Sequence, residues 1–299
     1  MQLRALRYFS QVAKSSSLRE AAEKLFVTAT AVTRQIEILE HYYGASLVER
    51  SPRGIRLTRE GEFLAQAIHA TLTELDSVKD KIAASNSIVS GSVRLCAAES
   101  LMSSFIAPAI AEFSALHPRV AFEIETGSAP HIAAELLAGR ADVALTFYLP
   151  VSADLQITHS CELQHKVVMS HQHPLAIKSL LTLKEVAQYP LCIPSENFAV
   201  RQLMESAARR EGLAFDIRYV ASSLDVQKRL AVLGLALIIQ PQLNVNDRTD
   251  HDQLIAVSLA DPVMGRVKVD LCLPRQRNLS MATRLFHQQL AAIVVRQNG

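Results

Sequence analysis

Between Thr28 and Glu37 the chain sets hydroxyls and a guanidinium beside an apolar stripe. Thr28, Ala29, Thr30, Thr33, Arg34 and Glu37 fall outside the stripe of Val32, Ile36 and Leu39. A helix that begins with Thr and Arg can bring hydroxyls and a guanidinium to base edges and phosphates in a DNA major groove. Further on, Arg50, Arg53 and Arg56 sit in residues 47–58, which read as two short strands around a turn at Pro52–Gly54. On such a wing, arginines face phosphates or a minor groove. The pattern alone leaves open a plain three-helix bundle and a solvated hairpin. Three arginines beside a helix-turn-helix favour the DNA reading.

The elements that would position these residues follow from spacing. Leu3, Leu6, Phe9, Val12 and Ala13 recur at helical intervals. Ser17 followed by Glu20 predicts a capping box, with a second helix from Leu18 whose inner face is Leu18, Ala21, Ala22 and Leu25. Thr28 is the expected cap of the third helix and Gly44 its left-handed stop. Two short helices joined by a few residues, with a small Ala pair that lets them cross closely, make a helix-turn-helix.

From Thr58 to about Ser87 one long helix is expected. Gly61, Leu64, Ile68, Thr71, Leu75, Val78 and Ile82 alternate by three and four, a heptad seam. Such a seam pairs with a second copy of the chain, or else packs on the chain's own body. Ser85–Ser92 reads as a linker. Beyond it, strands alternate with helices: Val93–Ala97, Ala121–Thr126, Ala141–Phe147, Lys166–Ser170, Leu191–Ile193, Arg218–Val220, Ala236–Ile239 and Val267–Leu273 as strands, Ser103–Leu116, Ile132–Ala138, Leu183–Ala187, Ala199–Glu211, Leu224–Val232 and Met281–Val295 as helices. That alternation predicts α/β layers on mostly parallel sheets.

Charge divides along the same line. Residues 1–59 hold ten Lys/Arg against five Asp/Glu, and the remaining 240 hold 21 against 24. A basic head on a near-neutral body fits nucleic-acid binding by the head and another task for the body. No signal-peptide pattern opens the chain, and the longest apolar run, Leu230–Ile239, is far short of the about 20 residues that span a bilayer. A cytoplasmic protein without membrane contact is expected.

Catalytic chemistry finds little support. There is no GxSxG, GxxxxGK[ST], HExxH or GxGxxG, so neither an enzyme nor a dinucleotide cofactor is expected. Cys96, Cys161, Cys192 and Cys272 are far apart and sit in apolar runs, as buried small hydrophobes do. His171-Gln172-His173 reads as a strand-end turn rather than a metal site.

With these residues in place the chain resembles the LysR-type transcriptional regulators over nearly its full length. The resemblance is carried by Leu3–Phe9, Ser17–Leu25, Val32–Ile36 with Leu39-Glu40, Gly44 with Leu47–Arg50, and Arg53–Thr58 with Glu60-Gly61. It is looser in Gly91–Leu95, His173–Leu175 and Leu233–Leu235. It implies a winged helix-turn-helix over 1–58, a dimerising linker helix over 59–90, and an effector-binding domain over 91–299 shaped like a two-lobed periplasmic binding protein. By analogy lobe I is about 91–161 and 267–299, and lobe II about 162–266. The partners implied are double-stranded promoter DNA, further copies of the chain as a dimer and typically a tetramer, a small-molecule effector, and RNA polymerase. The chain departs from the family where Ala29 and Thr30 replace the usual Gln and Pro; alanine offers only apolar contact, as with a thymine methyl. Gly234-Leu235-Ala236 stands where Gly-Leu-Gly is common.

In such two-lobed folds a ligand lies between lobes, at carboxyl ends of strands and amino ends of helices. Ser100, Ser128, Asn197 and Arg201 are the expected polar contacts, with Phe147 as an apolar wall and Ser222 as a further contact or a helix cap. Serine before a helix serves as an N-cap just as well. Glu99, an acid at this mouth, would repel a carboxylate or pair with a cation; a surface salt bridge is the alternative.

Overall fold

The computed structural model describes residues 3–51, 54–84, 89–241, 253–262, 264–275 and 277–297. Two compact units emerge, Met1–Ser87 with Arg277–Met281, and Ile88–Gln276 with Ala282–Gly299.

In the first unit, α1 (Leu3–Val12), α2 (Leu18–Lys24) and α3 (Ala29–Tyr43) pack through Phe9, Ala21, Val32, Ile36 and Leu39, all fully buried. Burying an aliphatic or aromatic side chain of this kind contributes roughly 1.5–3 kcal/mol. Ser17 Oγ accepts from Glu20 N at 3.1 Å. The reciprocal half of the box differs from expectation: Glu20 Oε2 takes Ser16 N and Ser16 Oγ, both at 2.7 Å. Lys24 and Ser16 together hold the exposed Glu20 carboxyl down at about 2. Gly44 ends α3 in the left-handed region at φ 66°.

The wing is a two-stranded ladder, β1 (Val48–Ser51) with β2 (Gly54–Leu57). Gly54, at φ 121°, lies so close to Ser16 that an added Cβ would fall 2.3 Å from its carbonyl oxygen. Ile55 N donates to that same oxygen at 3.0 Å. The wing is thereby fixed to the turn that precedes α2.

The long helix α4 spans Arg59–Ala84. Its stripe is divided. Leu64 and Ile68 are buried and Leu72 half-buried in the unit's own core, whereas Thr71 and Leu75 are exposed. The alternative that the seam packs on the chain's own body holds for Leu64 and Ile68, which supply α1 with apolar partners. The side chains of Val78 and Ile82 lie outside the described residues.

The second unit is built on one curled sheet. Its strands are β3 (Ser90–Ala97), β4 (Arg119–Thr126), β5 (Val143–Phe147), β6 (Leu155–Ser170), β7 (Leu180–Leu181), β8 (Leu191–Ile193), β9 (Ile217–Val220), β10 (Ile238–Pro241), β11 (Leu254–Leu259) and β12 (Arg266–Pro274). Its helices are α5 (Ala107–Leu116), α6 (Ala129–Ala138), α7 (Leu183–Val186), α8 (Ala199–Glu211), α9 (Leu224–Val232) and α10 (Met281–Arg296). Strand order is β4-β3-β5-β12-β6-β11-β7, with β10 also on β6 and a separate parallel pair β8-β9. Pairing is parallel for β3 with β4 and β5, and antiparallel wherever β6 or β12 meets β5, β10, β11 or each other. The sheet is therefore mixed rather than mostly parallel.

The chain crosses between lobes along β6 and again between β11 and β12. β6 pairs with β12 from Leu155 to Gln164, and from His165 onward with β10 and β11. Each lobe has its own core, around Phe105, Phe113 and Phe286 in lobe I and Met169, Leu191 and Met204 in lobe II. Ser90–Ser92, read as linker, begins β3. The segment before α5 winds as a 3-10 turn over Glu99–Leu101 and a wider turn over Met102–Ile106 instead of one helix from Ser103. All four cysteines are buried.

Candidate nucleic-acid face and ligand cleft

Thr28, Ala29, Thr30 and Arg34 are exposed at the start of α3, and Thr33 is half-buried. Thr28 is also the N-cap, its Oγ1 accepting from Ala31 N at 3.3 Å. That hydroxyl keeps its own hydrogen for a phosphate or base. On the wing, Arg56 is exposed and stands across the ladder from Glu49, and Arg50 pairs with Ile55. Arg53 lies outside the described residues. Phe26, in the turn before α3, was not singled out by its sequence; it is 95% exposed and left-handed at φ 55°.

In the second unit a cleft of about 80 Å³ opens where the lobes meet. Lobe I supplies the turn Ala98–Ser100, the start of α6 at Gly127–Ala129, and Thr146–Tyr148 at the end of β5. Lobe II supplies Pro194 and Phe198–Val200 before and in α8, Ser222, Leu224 and Gln227 around α9, and Gln240-Pro241 on β10. His165 and Val267 come from β6 and β12.

Of the residues expected here, Ser100, Ser128, Phe147 and Ser222 line the cleft. Asn197 and Arg201 are not among its lining residues. Asn197 is exposed on the turn before α8. Arg201 turns along its own helix, Nε donating to Glu205 Oε1 at 2.8 Å, with Nη1 on Pro194 O at 3.4 Å. An i,i+4 carboxylate within reach holds the guanidinium along its own helix, beside Pro194 and Val200 of the lining. Ser222 does not cap α9; Ser223 holds that position, and Ser222 Oγ bonds Ser195 Oγ at 2.7 Å.

Glu99 does something its sequence position did not suggest. Its Oε2 accepts from Leu224 N at 3.1 Å, so an acid of lobe I answers the first amide of a lobe II helix. A carboxylate at a helix N-terminus is worth typically 0.3–1 kcal/mol. Ser128 at α6 and Phe198 at α8 make no side-chain cap.

The floor holds polar groups that sequence reasoning missed. His165 is 1% exposed. Its Nδ1 donates to Met264 O at 2.6 Å, which leaves Nε2 as an acceptor. Burial pulls its pKa below the ordinary 6.5, so the ring is neutral at pH 7. Gln240 Nε2 donates to Gln227 Oε1, and Gln227 Nε2 to Ala221 O, both at 2.6 Å. Tyr148 is left-handed at φ 52°, its hydroxyl buried without a hydrogen-bond partner among the described residues, and burial pushes its pKa up to about 12. The available signal was periodicity: Cys161, Leu163, His165 and Val167 alternate as inward positions of β6, and a histidine in an apolar slot marks a special site.

Two family models match this chain. One, described as the bacterial regulatory helix-turn-helix protein of the LysR family, covers residues 3–62; the other, the LysR substrate binding domain, covers residues 87–293. The chain belongs to the LysR family. This LysR-type regulator is 28% identical over 262 residues to the HTH-type transcriptional regulator BbuR of Bordetella bronchiseptica, covering 87% of this chain and 80% of the relative. A full-length OxyR from Pseudomonas aeruginosa superposes with a TM-score of 0.75 at 19% identity, covering 98% of this chain and 94% of that one. The effector binding domain of QuiR in complex with shikimate matches with a TM-score of 0.60 at 17% identity, over 70% of this chain and 99% of that one. The family is one of DNA-binding regulators with effector-binding domains, not of enzymes. No described helix is long and apolar enough to cross a membrane.

Proposed function

We propose that this LysR-type regulator binds promoter DNA as a dimer assembled into a tetramer, in the cytoplasm, and that a small molecule between the lobes resets its contact with DNA and RNA polymerase. Thr28, Ala29, Thr30, Thr33 and Arg34 read bases, and Arg50, Arg53 and Arg56 hold phosphates. Ser100, Ser128, Phe147 and Ser222 contact the effector. The carrying observation is a polar-floored cleft lined from both lobes and from β6 and β12. Exposed Leu75, on α4 beyond the intramolecular packing, supports a helix-mediated dimer.

A gel shift with DNA upstream of the regulator's own coding region tests the reading, scored with and without metabolite pools. A salt-sensitive specific shift whose mobility or affinity changes with a pool is expected. Absence of any specific shift on candidate promoters would overturn DNA-directed regulation. A pool response that survives Ser128→Trp, which fills the cleft, would overturn the effector site.

A further inference from the structure

We propose that the effector is a small organic ammonium, held by the Glu99 carboxylate and the rings of Phe147, Tyr148 and Phe198, with His165 Nε2 accepting an N–H. This rests on the cleft being the effector site. All five residues line it.

The charge of the lining comes first. Among the described residues lining the cleft, Glu99 is the sole formally charged side chain, and no lysine or arginine is present. A carboxylate ligand would find no guanidinium or ammonium here and would face Glu99. Glu99 spends one oxygen on Leu224 N and has no other hydrogen-bond partner among the described residues, so its second oxygen is available to a cation.

The rings come second. Three aromatic residues line one small cleft, and an ammonium is a ligand that ring quadrupoles recognise. Phe147, Tyr148 and Phe198 are half-buried and Glu99 is exposed, so a cation there stays partly in contact with water and the contact is of the modest, exposed kind.

The floor comes third. His165 is buried, and its Nδ1–H is committed to Met264 O. Nε2 has no protein partner among the described residues and can only accept while the ring is neutral. A ligand that engages Nε2 directly must therefore bring a donor, as an ammonium, amine or hydroxyl does and a carboxylate does not.

Helix N-termini at the cleft would favour an anion; α8 keeps its uncapped first turn there, but the capacity of the other two is reduced. Glu99 already occupies the first amide of α9, and Pro130 removes one N–H from the first turn of α6.

The cleft holds about 80 Å³, against the roughly 150 Å³ that takes up benzene in an apolar cavity. The probes are accordingly small: n-propylammonium, n-propanol and propionate, similar in size and differing in charge. Each is titrated into the full-length protein by calorimetry. Propylammonium is expected to bind at least about tenfold more tightly than propionate. Glu99→Gln, which keeps an oxygen for Leu224 N, should weaken propylammonium about tenfold and leave propanol unchanged; Phe198→Leu should weaken propylammonium selectively. Tighter binding of propionate, no binding of propylammonium, or indifference to Glu99→Gln would each overturn the ammonium inference. Loss of propylammonium binding in Ser128→Trp together with indifference to Glu99→Gln would leave the cleft standing and remove only the ammonium. Propylammonium binding that persists in Ser128→Trp would remove the cleft reading itself.

Discussion

Arg94 and Asp142 form an ion pair inside lobe I: Arg94 Nε donates to Asp142 Oδ2 at 2.9 Å, Nη2 donates to Oδ1, and Nη1 donates to Gly139 O at 2.9 Å. Both side chains are less than a tenth exposed. The pair fastens the middle of β3 to the turn that carries α6 into β5. Asp142→Ala strands a buried guanidinium and should cost about 3–5 kcal/mol. Urea unfolding followed by circular dichroism reads it. The double variant Arg94→Met/Asp142→Leu should recover most of the loss, because the penalty lies in the unpaired charge. A single-variant cost below about 1 kcal/mol would contradict this account.

The proposed base-reading and phosphate-holding roles should separate by salt. Arg34 is exposed at the start of α3, and Arg34→Ala should cost about 1–3 kcal/mol on the preferred promoter and little on unrelated DNA. Arg56, exposed on β2, should act evenly across sequences, its alanine variant flattening the salt slope by about one unit. Fluorescence anisotropy at a series of salt concentrations measures both. A purely local shift in base preference from Arg56→Ala would show that the wing reads sequence.

Gly265 controls the second crossover. A Cβ there would lie 2.4 Å from Asp261 O, to which Gly265 N donates at 2.7 Å. The same turn receives both His165 N, on Gly265 O at 3.2 Å, and His165 Nδ1, on Met264 O. Gly265→Ala must spread this turn, and core overpacking of this kind typically costs about 1–3 kcal/mol. Thermal unfolding should show the loss, and effector response should fall more than DNA affinity does. An unchanged melting temperature would mean that the turn tolerates the methyl group.

Acid should weaken the second unit. Burial lowers the pKa of His165 first by desolvation, and likewise that of His287, where neighbouring His159 adds to it. The unfolded chain therefore binds more protons below the ordinary histidine pKa of about 6.5. This contribution is complete above that value and declines as pH falls toward the folded-state pKa. Urea midpoints taken from about pH 7.5 down to about pH 5.5 should decrease, and His165→Gln should shallow the slope. A midpoint that rises on acidification would refute the assignment.

Local rules made much of the fold legible. α8 and α9 begin and end where their flanking signals place them, because Gly212 and a Ser pair punctuate apolar periodicity. β11 and the first half of β6 were hidden. Leu155–Ser160 alternates weakly, and its pairing with β12 is fixed by residues more than a hundred positions away. Capping rules found Ser17, but which amide Glu20 would reach depended on the path of Ser16, set by the wing. In the cleft, serines before helices were visible from sequence, and three of them, Ser100, Ser128 and Ser222, line it together with Phe147. His165, Gln227 and Gln240 escaped because an inward polar residue on a strand or helix shows its purpose only when the facing lobe is known. For Arg201 the sequence shows a cation near a helix start but not that Glu205 claims it.

His165 lies where β6 exchanges one set of neighbours for another, Gln164 pairing with β12 and His165 with β10. Among the described strands, β6 is the one that runs through both lobes without a break, so a relative rotation of the lobes would have to twist it, and the point where its pairing changes hands is the natural fulcrum. If the proposed effector engages His165, it would act at that fulcrum instead of at the rim. A displacement of the imidazole too small to break any strand pairing would be multiplied along the lever arms of both lobes, and signal strength would depend less on how large the ligand is than on where it presses.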